Sequence, residues 1–251
     1  MMKCDLLISE KSLKFFPEWR KIKYNLLEAL GKYTIAREAL EDIGIPFLEI
    51  FNLYTNRLAS FIIYESYVDS NKEPDYDLMV ASELIDIIIL HLLDDIIDGD
   101  DNEFIEAYGE AKIVAASLPI LFEVMKKFPI FTKMSYFYKI DFTEITSVND
   151  YLKRVYTVSF YPIELAFQYI KPKQQIVNFW RNAAQYFKIV DDLKDDDINI
   201  PKGILKSLLE EYKNNTIRLA KTKLQTRFVR NALTDDIDWL ERRNVEVITR
   251  V

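Results

Sequence analysis

The chain has 251 residues, enough to bury a substantial core, and only five glycines and eight prolines to interrupt helices. Its net charge of -7 argues against a general nucleic-acid binder, and a single cysteine, Cys4, excludes an intramolecular disulfide framework. Few breakers and much Leu, Ile, Lys and Glu predict an all-α protein, and because no low-complexity linker divides the chain, one domain over 1–251 is expected. The opening stretch "MMKCDLLISEKSLKFF" lacks the apolar core and cleavage site of a signal peptide, so a cytoplasmic location is expected. In "WRKIKYNLLEALGKY" (19–33), Ile22, Leu26, Leu27 and Leu30 share one helical face. "FLEIFNLYTNRLASFIIYESY" (47–67) predicts a second helix, ended by the turn-forming "VDSNKEPD". A third, from Tyr76 to Ile97, is apolar on nearly every side, as suits a helix at the centre of a bundle. Its apolar run falls far short of the ~20 residues that span a membrane, so the chain is not expected to cross one. Further helices are predicted over 105–127, 150–169, 173–194, 203–231 and 235–244.

Two of these helices end in dense negative charge. "HLLDDIIDGDD" (91–101) and "FKIVDDLKDDD" (187–197) each follow an apolar segment and each contain the pattern D-D-x-x-D. Residues four apart on an α-helix lie about 40° apart around its axis, so Asp94 and Asp98 face one way, as do Asp191 and Asp195. Asp95 and Asp192 flank the pairs. Such carboxylates repel one another, and the macrodipole near a helix C-terminus worsens the repulsion. A divalent cation relieves it, and Mg²⁺ commonly takes one or two protein carboxylates together with substrate phosphates. An EF-hand is excluded, because Gly99 at loop position 6 would put Ile96 and Ile105 at ligand positions.

With both motifs in view, the chain resembles the trans-isoprenyl diphosphate synthase (polyprenyl synthetase) family. Asp94-Asp95-Ile96-Ile97-Asp98 is similar to its first aspartate-rich motif and Asp191-Asp192-Leu193-Lys194-Asp195 to its second. "DINIPK" (197–202) resembles its "D-x-x-x-G-K" segment and places Lys202 at the diphosphate-binding lysine. The resemblance implies a helical bundle of the isoprenoid synthase type around a central apolar pocket. Aspartates of both motifs would be catalytic, with Asp94, Asp95, Asp98, Asp191 and Asp195 as ligands to Mg²⁺. The metal would grip an allylic prenyl diphosphate and draw electron density into the leaving diphosphate. Isopentenyl diphosphate would be the second substrate, and a homodimer, or a heteromer with a related synthase, the assembly. Ile85, Ile88, Ile89 and Leu92 would line the pocket for the prenyl tail or serve as ordinary core.

The chain departs from the family pattern where the second diphosphate should bind. "G-G-K-x-x-R-P" falls on "YTNRLAS" (54–60), where Asn56 and Ala59 replace basic residues and only Arg57 remains. Ile87, Glu103 and Phe104 stand where polar or basic residues are expected, and Lys188 replaces a glutamine. The "K-T" segment matches Tyr156-Thr157, with Lys153 and Arg154 one turn earlier. Three readings stay open. One is a synthase whose second site uses Arg57, Lys153, Arg154, Thr157, Lys188 and Lys202. Another is a terpene-synthase-like enzyme acting on the allylic diphosphate alone. The third is a catalytically weak partner subunit of a heteromeric synthase. His91 reads as a packing residue or as a contact near the metal, and Cys4 as inert.

Overall fold

A computed structural model describes residues 6–53, 57–141, 144–195 and 199–233. Cys4, Asn56, Asp196, Asp197 and the helix expected over 235–244 lie outside the described residues, and so does the side chain of Asp195. Every regular element among the described residues is helical, and none of these helices is long and apolar enough to cross a membrane. Contacts divide the chain into two compact units, Met1–Ser135 with Pro162–Pro172 and Tyr136–Tyr161 with Lys173–Val251.

In the first unit, α1 (Glu10–Phe15), α2 (Trp19–Leu30), α3 (Thr34–Asp42), α4 (Phe47–Asn52) and α5 (Leu58–Asp69) precede the long central helix. That helix begins as α6 (Tyr76–Ile87), widens into a π-turn at Ile88–Leu92, and finishes as α7 (Leu93–Asp98). It is followed by α8 (Glu103–Tyr108), α9 (Glu110–Lys127) and a 3₁₀ segment at Pro129–Met134. The all-round apolar sequence of α6 has its explanation in packing: α2, α4, α5 and α9 all lie against it. Leu78, Met79, Val80, Leu84, Ile85 and Ile87 are all fully buried, each worth about 1.5–3 kcal/mol. The Asp75 cap, whose carboxylate accepts from the Leu78 N–H at 3.0 Å, adds only about 1 kcal/mol. Packing holds this helix.

The second unit contains α10 (Ser135–Asp141, from Tyr136 on) and α11 (Val148–Ser159). The chain then runs through α12 (Tyr161–Ile170), which belongs to the first unit from Pro162. It returns as α13 (Gln174–Asp195), α14 (Lys202–Leu219), α15 (Lys223–Phe228) and a π-turn at Val229–Leu233. Tyr151 and Val155 of α11, Ile189 of α13, Ile200, and Leu205 of α14 form one core cluster. Tyr186, Val190 and Leu233 form another.

The helix expected over 47–67 is two helices, α4 and α5, with Arg57 at φ 49 opening the second. The one expected over 105–127 breaks at Gly109, whose φ of 85 and ψ of 140 suit glycine. That over 150–169 breaks at Phe160, ahead of Pro162 in the first turn of α12. That over 203–231 stops at Leu219 and restarts after Thr222, whose side chain and Gln225 form a reciprocal capping box. Helices α1, α3 and α10 were not expected from the periodicity.

Candidate functional site

The first aspartate motif stands in the first unit, where the central helix leaves the core. Ile85, Ile88 and Leu92 are fully buried and Ile89 is 3% exposed. Over Ile88–Leu92 the ladder widens, and the Leu93 N–H reaches back to the carbonyl of Ile88, five residues earlier. Such single π-turns occur frequently at functional positions. The next turn carries Asp94 and Asp95, both half-buried, and Asp98, which is exposed. Gly99, at φ 72, ends the helix in the left-handed conformation common at this position.

Asp95 is held in place. Asn102 donates its side-chain N–H to Asp95 Oδ2 at 2.5 Å, while its own Oδ1 accepts from the N–H groups of Phe104 and Ile105 and so caps α8. The Asp100 N–H closes the loop on the Asp95 carbonyl at 2.9 Å. Asn102 lies outside the D-D-x-x-D pattern, although an asparagine just before a helix is a recognisable cap. His91 Nε2 lies 3.7 Å from Asp86 Oδ2, which gives the ring a carboxylate partner on its own helix.

The second motif ends α13 in the second unit, and its environment differs. Asp192 is 3% exposed, and both of its carboxylate oxygens are engaged. Tyr151 of α11 donates its hydroxyl to Oδ2 at 2.8 Å, and Lys188 Nζ sits 2.8 Å from Oδ1. The same ammonium lies 3.6 Å from Asp191 Oδ2. Burial acts to lower the pKa of Lys188, but Asp192 and Asp191 outweigh it and hold the group above the ordinary lysine range, against Arg154. Burial, then the Asp192 charge, pushes the Tyr151 hydroxyl far up, so it remains a donor.

The basic residues expected at a second diphosphate site are placed differently from one another. Arg57 is 1% exposed: its Nε donates to the Leu7 carbonyl at 3.1 Å, and one terminal nitrogen donates to the Phe51 carbonyl and Asn52 Oδ1, both at 2.9 Å. Its guanidinium also lies over the Phe51 ring, 4.5 Å from the centroid. Burial lowers its pKa to about 10, opposed by the charge of Glu83. Thr157 is buried and returns its hydroxyl to the Lys153 carbonyl at 2.8 Å. Lys153 and Lys202 are exposed, Lys202 as the first residue of α14, and Arg154 is half-buried.

Among the described residues no three His, Cys, Asp or Glu side chains gather into a metal cage. Mg²⁺ does not require one; one or two carboxylates with substrate oxygens suffice. Asp94 and Asp98, one α-turn apart at the half-exposed end of α7, match that donor set. The Asp191–Asp192 pair does not match it in the same way, because a protein ammonium already lies against both carboxylates. Neither a protein-family model nor a curated protein matches this chain.

Proposed function

We propose that the chain is a Mg²⁺-dependent prenyltransferase of the isoprenoid synthase type. In this reading it ionises an allylic prenyl diphosphate at its first aspartate motif and condenses the product cation with isopentenyl diphosphate. The observation that carries it is the junction at Leu92 and Leu93, where a buried apolar helix passes through a π-turn into Asp94, Asp95 and Asp98. That junction offers hard oxygen donors to a Mg²⁺ ion that a diphosphate would share, beside the buried run of Ile85, Ile88, Ile89 and Leu92 that would face a hydrocarbon tail. Mg²⁺ bound there would withdraw electron density from the departing diphosphate, a Lewis-acid role. Asp94 and Asp98 would hold the ion from one face of α7, and Asn102 would fix the orientation of Asp95. The central apolar pocket beneath the motif belongs to this proposal.

Arg57 and Lys188 favour a second reading, in which the allylic diphosphate reacts alone. Arg57 is the one basic residue left in "YTNRLAS" and is buried on protein acceptors; Lys188 faces carboxylates. Charge-assisted contacts supply most of the affinity for a diphosphate, so both losses weaken a homoallylic site. Purified protein with Mg²⁺ and an allylic diphosphate, with and without labelled isopentenyl diphosphate, tests both. Chain elongation supports condensation, and a hydrocarbon or alcohol formed without the label supports the second reading. Asp94→Ala should abolish either product; undiminished turnover in that variant sinks both readings.

A further inference from the structure

We propose that Lys188 is a tethered counter-ion standing in place of a metal ion at the second aspartate motif, so that the divalent-cation requirement rests on the first motif alone. Asp191 and Asp192 are neighbouring carboxylates, and Asp192 is almost wholly removed from water. A buried carboxylate without a partner costs several kcal/mol, and a cation beside it offsets that cost. Lys188, one turn earlier on α13, supplies that charge at 2.8 Å from Asp192 and 3.6 Å from Asp191. A lysine N-terminal to its acid is the weaker ordering in an isolated helix. The contact therefore owes its strength to burial and to Tyr151, whose hydroxyl occupies the other oxygen of Asp192 from α11. A divalent ion entering between these carboxylates would meet the ammonium at contact distance. It could remain only by displacing Lys188, a group that the charge of Arg154 already opposes. The inference takes from the proposed function only that the first motif binds the cation.

The experiment counts Mn²⁺ bound to the full-length chain by electron paramagnetic resonance, with helicity checked by circular dichroism. Lys188→Gln should bind one more Mn²⁺ than the wild type, and adding Asp191→Asn to it should remove that ion. Asp191→Asn alone should leave the wild-type count unchanged, because the ammonium already serves that carboxylate. A folded K188Q variant that binds no additional Mn²⁺ overturns the proposal. So does a wild-type count that falls by one in D191N, a measurement that remains decisive should K188Q fail to fold. Asp94→Asn separates this outcome from failure of the functional reading. An unchanged Mn²⁺ count in D94N removes the first-motif site and leaves the D191N comparison standing.

Discussion

Glu83 sits 1% exposed in α6, its Oε1 accepting the Ser60 N–H at 2.9 Å, with Arg57 an opposing charge that acts on it. Burial raises its carboxyl to about 7 from an ordinary 4.5, and Arg57 only partly offsets that rise. An acid with a raised native pKa keeps a proton that the unfolded chain has lost. Between about pH 4.5 and pH 7 the native state therefore binds more protons, and stability falls as pH rises through that window. Glu83→Gln retains an acceptor for Ser60 but removes the titration. Urea denaturation at about pH 5 and pH 8 should show the wild type losing ground to E83Q as pH rises. Parallel profiles for the two proteins would dismiss Glu83 as the titrating group. The pairing also explains why Arg57 read as a substrate contact. It was the only basic residue in its segment, and its partner lies in another helix that local pattern cannot connect to it.

Helix content was legible because apolar patterning survives tertiary context: α2 and α13 coincide with periodic stretches, and the α6–α7 helix with a continuously apolar one. Their interruptions were less legible, although three of the four breaks carry a local mark. Gly109, Pro162 and the Thr222–Gln225 pair are ordinary helix punctuation that continuous periodicity concealed. The π-turn had no such mark, since an apolar run buried on all sides reads the same in either winding. Both aspartate motifs were legible, whereas the Lys188–Asp192–Tyr151 contact was not, because it joins α13 to α11 across the fold. Two glycines make the element-scale argument testable. A Cβ at Gly109 would meet nothing within 4 Å, so Gly109→Ala isolates backbone strain at φ 85 and should cost about 1–3 kcal/mol. Gly203, in the first turn of α14, is equally open but has no positive φ, so Gly203→Ala should stabilise by roughly 0.5–1 kcal/mol. Denaturant midpoints moving in opposite directions confirm these assignments; a neutral G109A denies the strained break between α8 and α9.

At the scale of the whole chain, a net charge of -7 sets the terms on which an anion can bind. A diphosphate approaching so acidic a molecule is repelled unless a cation accompanies it. The carboxylates of the first motif strengthen that repulsion locally. Inorganic pyrophosphate alone should therefore leave thermal stability unchanged, whereas Mg²⁺ with pyrophosphate should raise it. Trp19 and Trp180 are both fully buried, the first in one unit and the second in the other, so single-tryptophan variants report each unit separately once Trp239 is also replaced. Binding at a hundred times the dissociation constant adds about 2.7 kcal/mol to the native state. For a chain of this size that corresponds to roughly 5–10 °C in the Trp19 transition. Asp94→Asn should abolish the increment, since it removes a carboxylate that the cation needs; K188Q should retain it, since Lys188 belongs to the other motif. A rise produced by pyrophosphate without Mg²⁺, or one of full size in D94N, would place the anion on protein cations instead and take the metal away from the first motif.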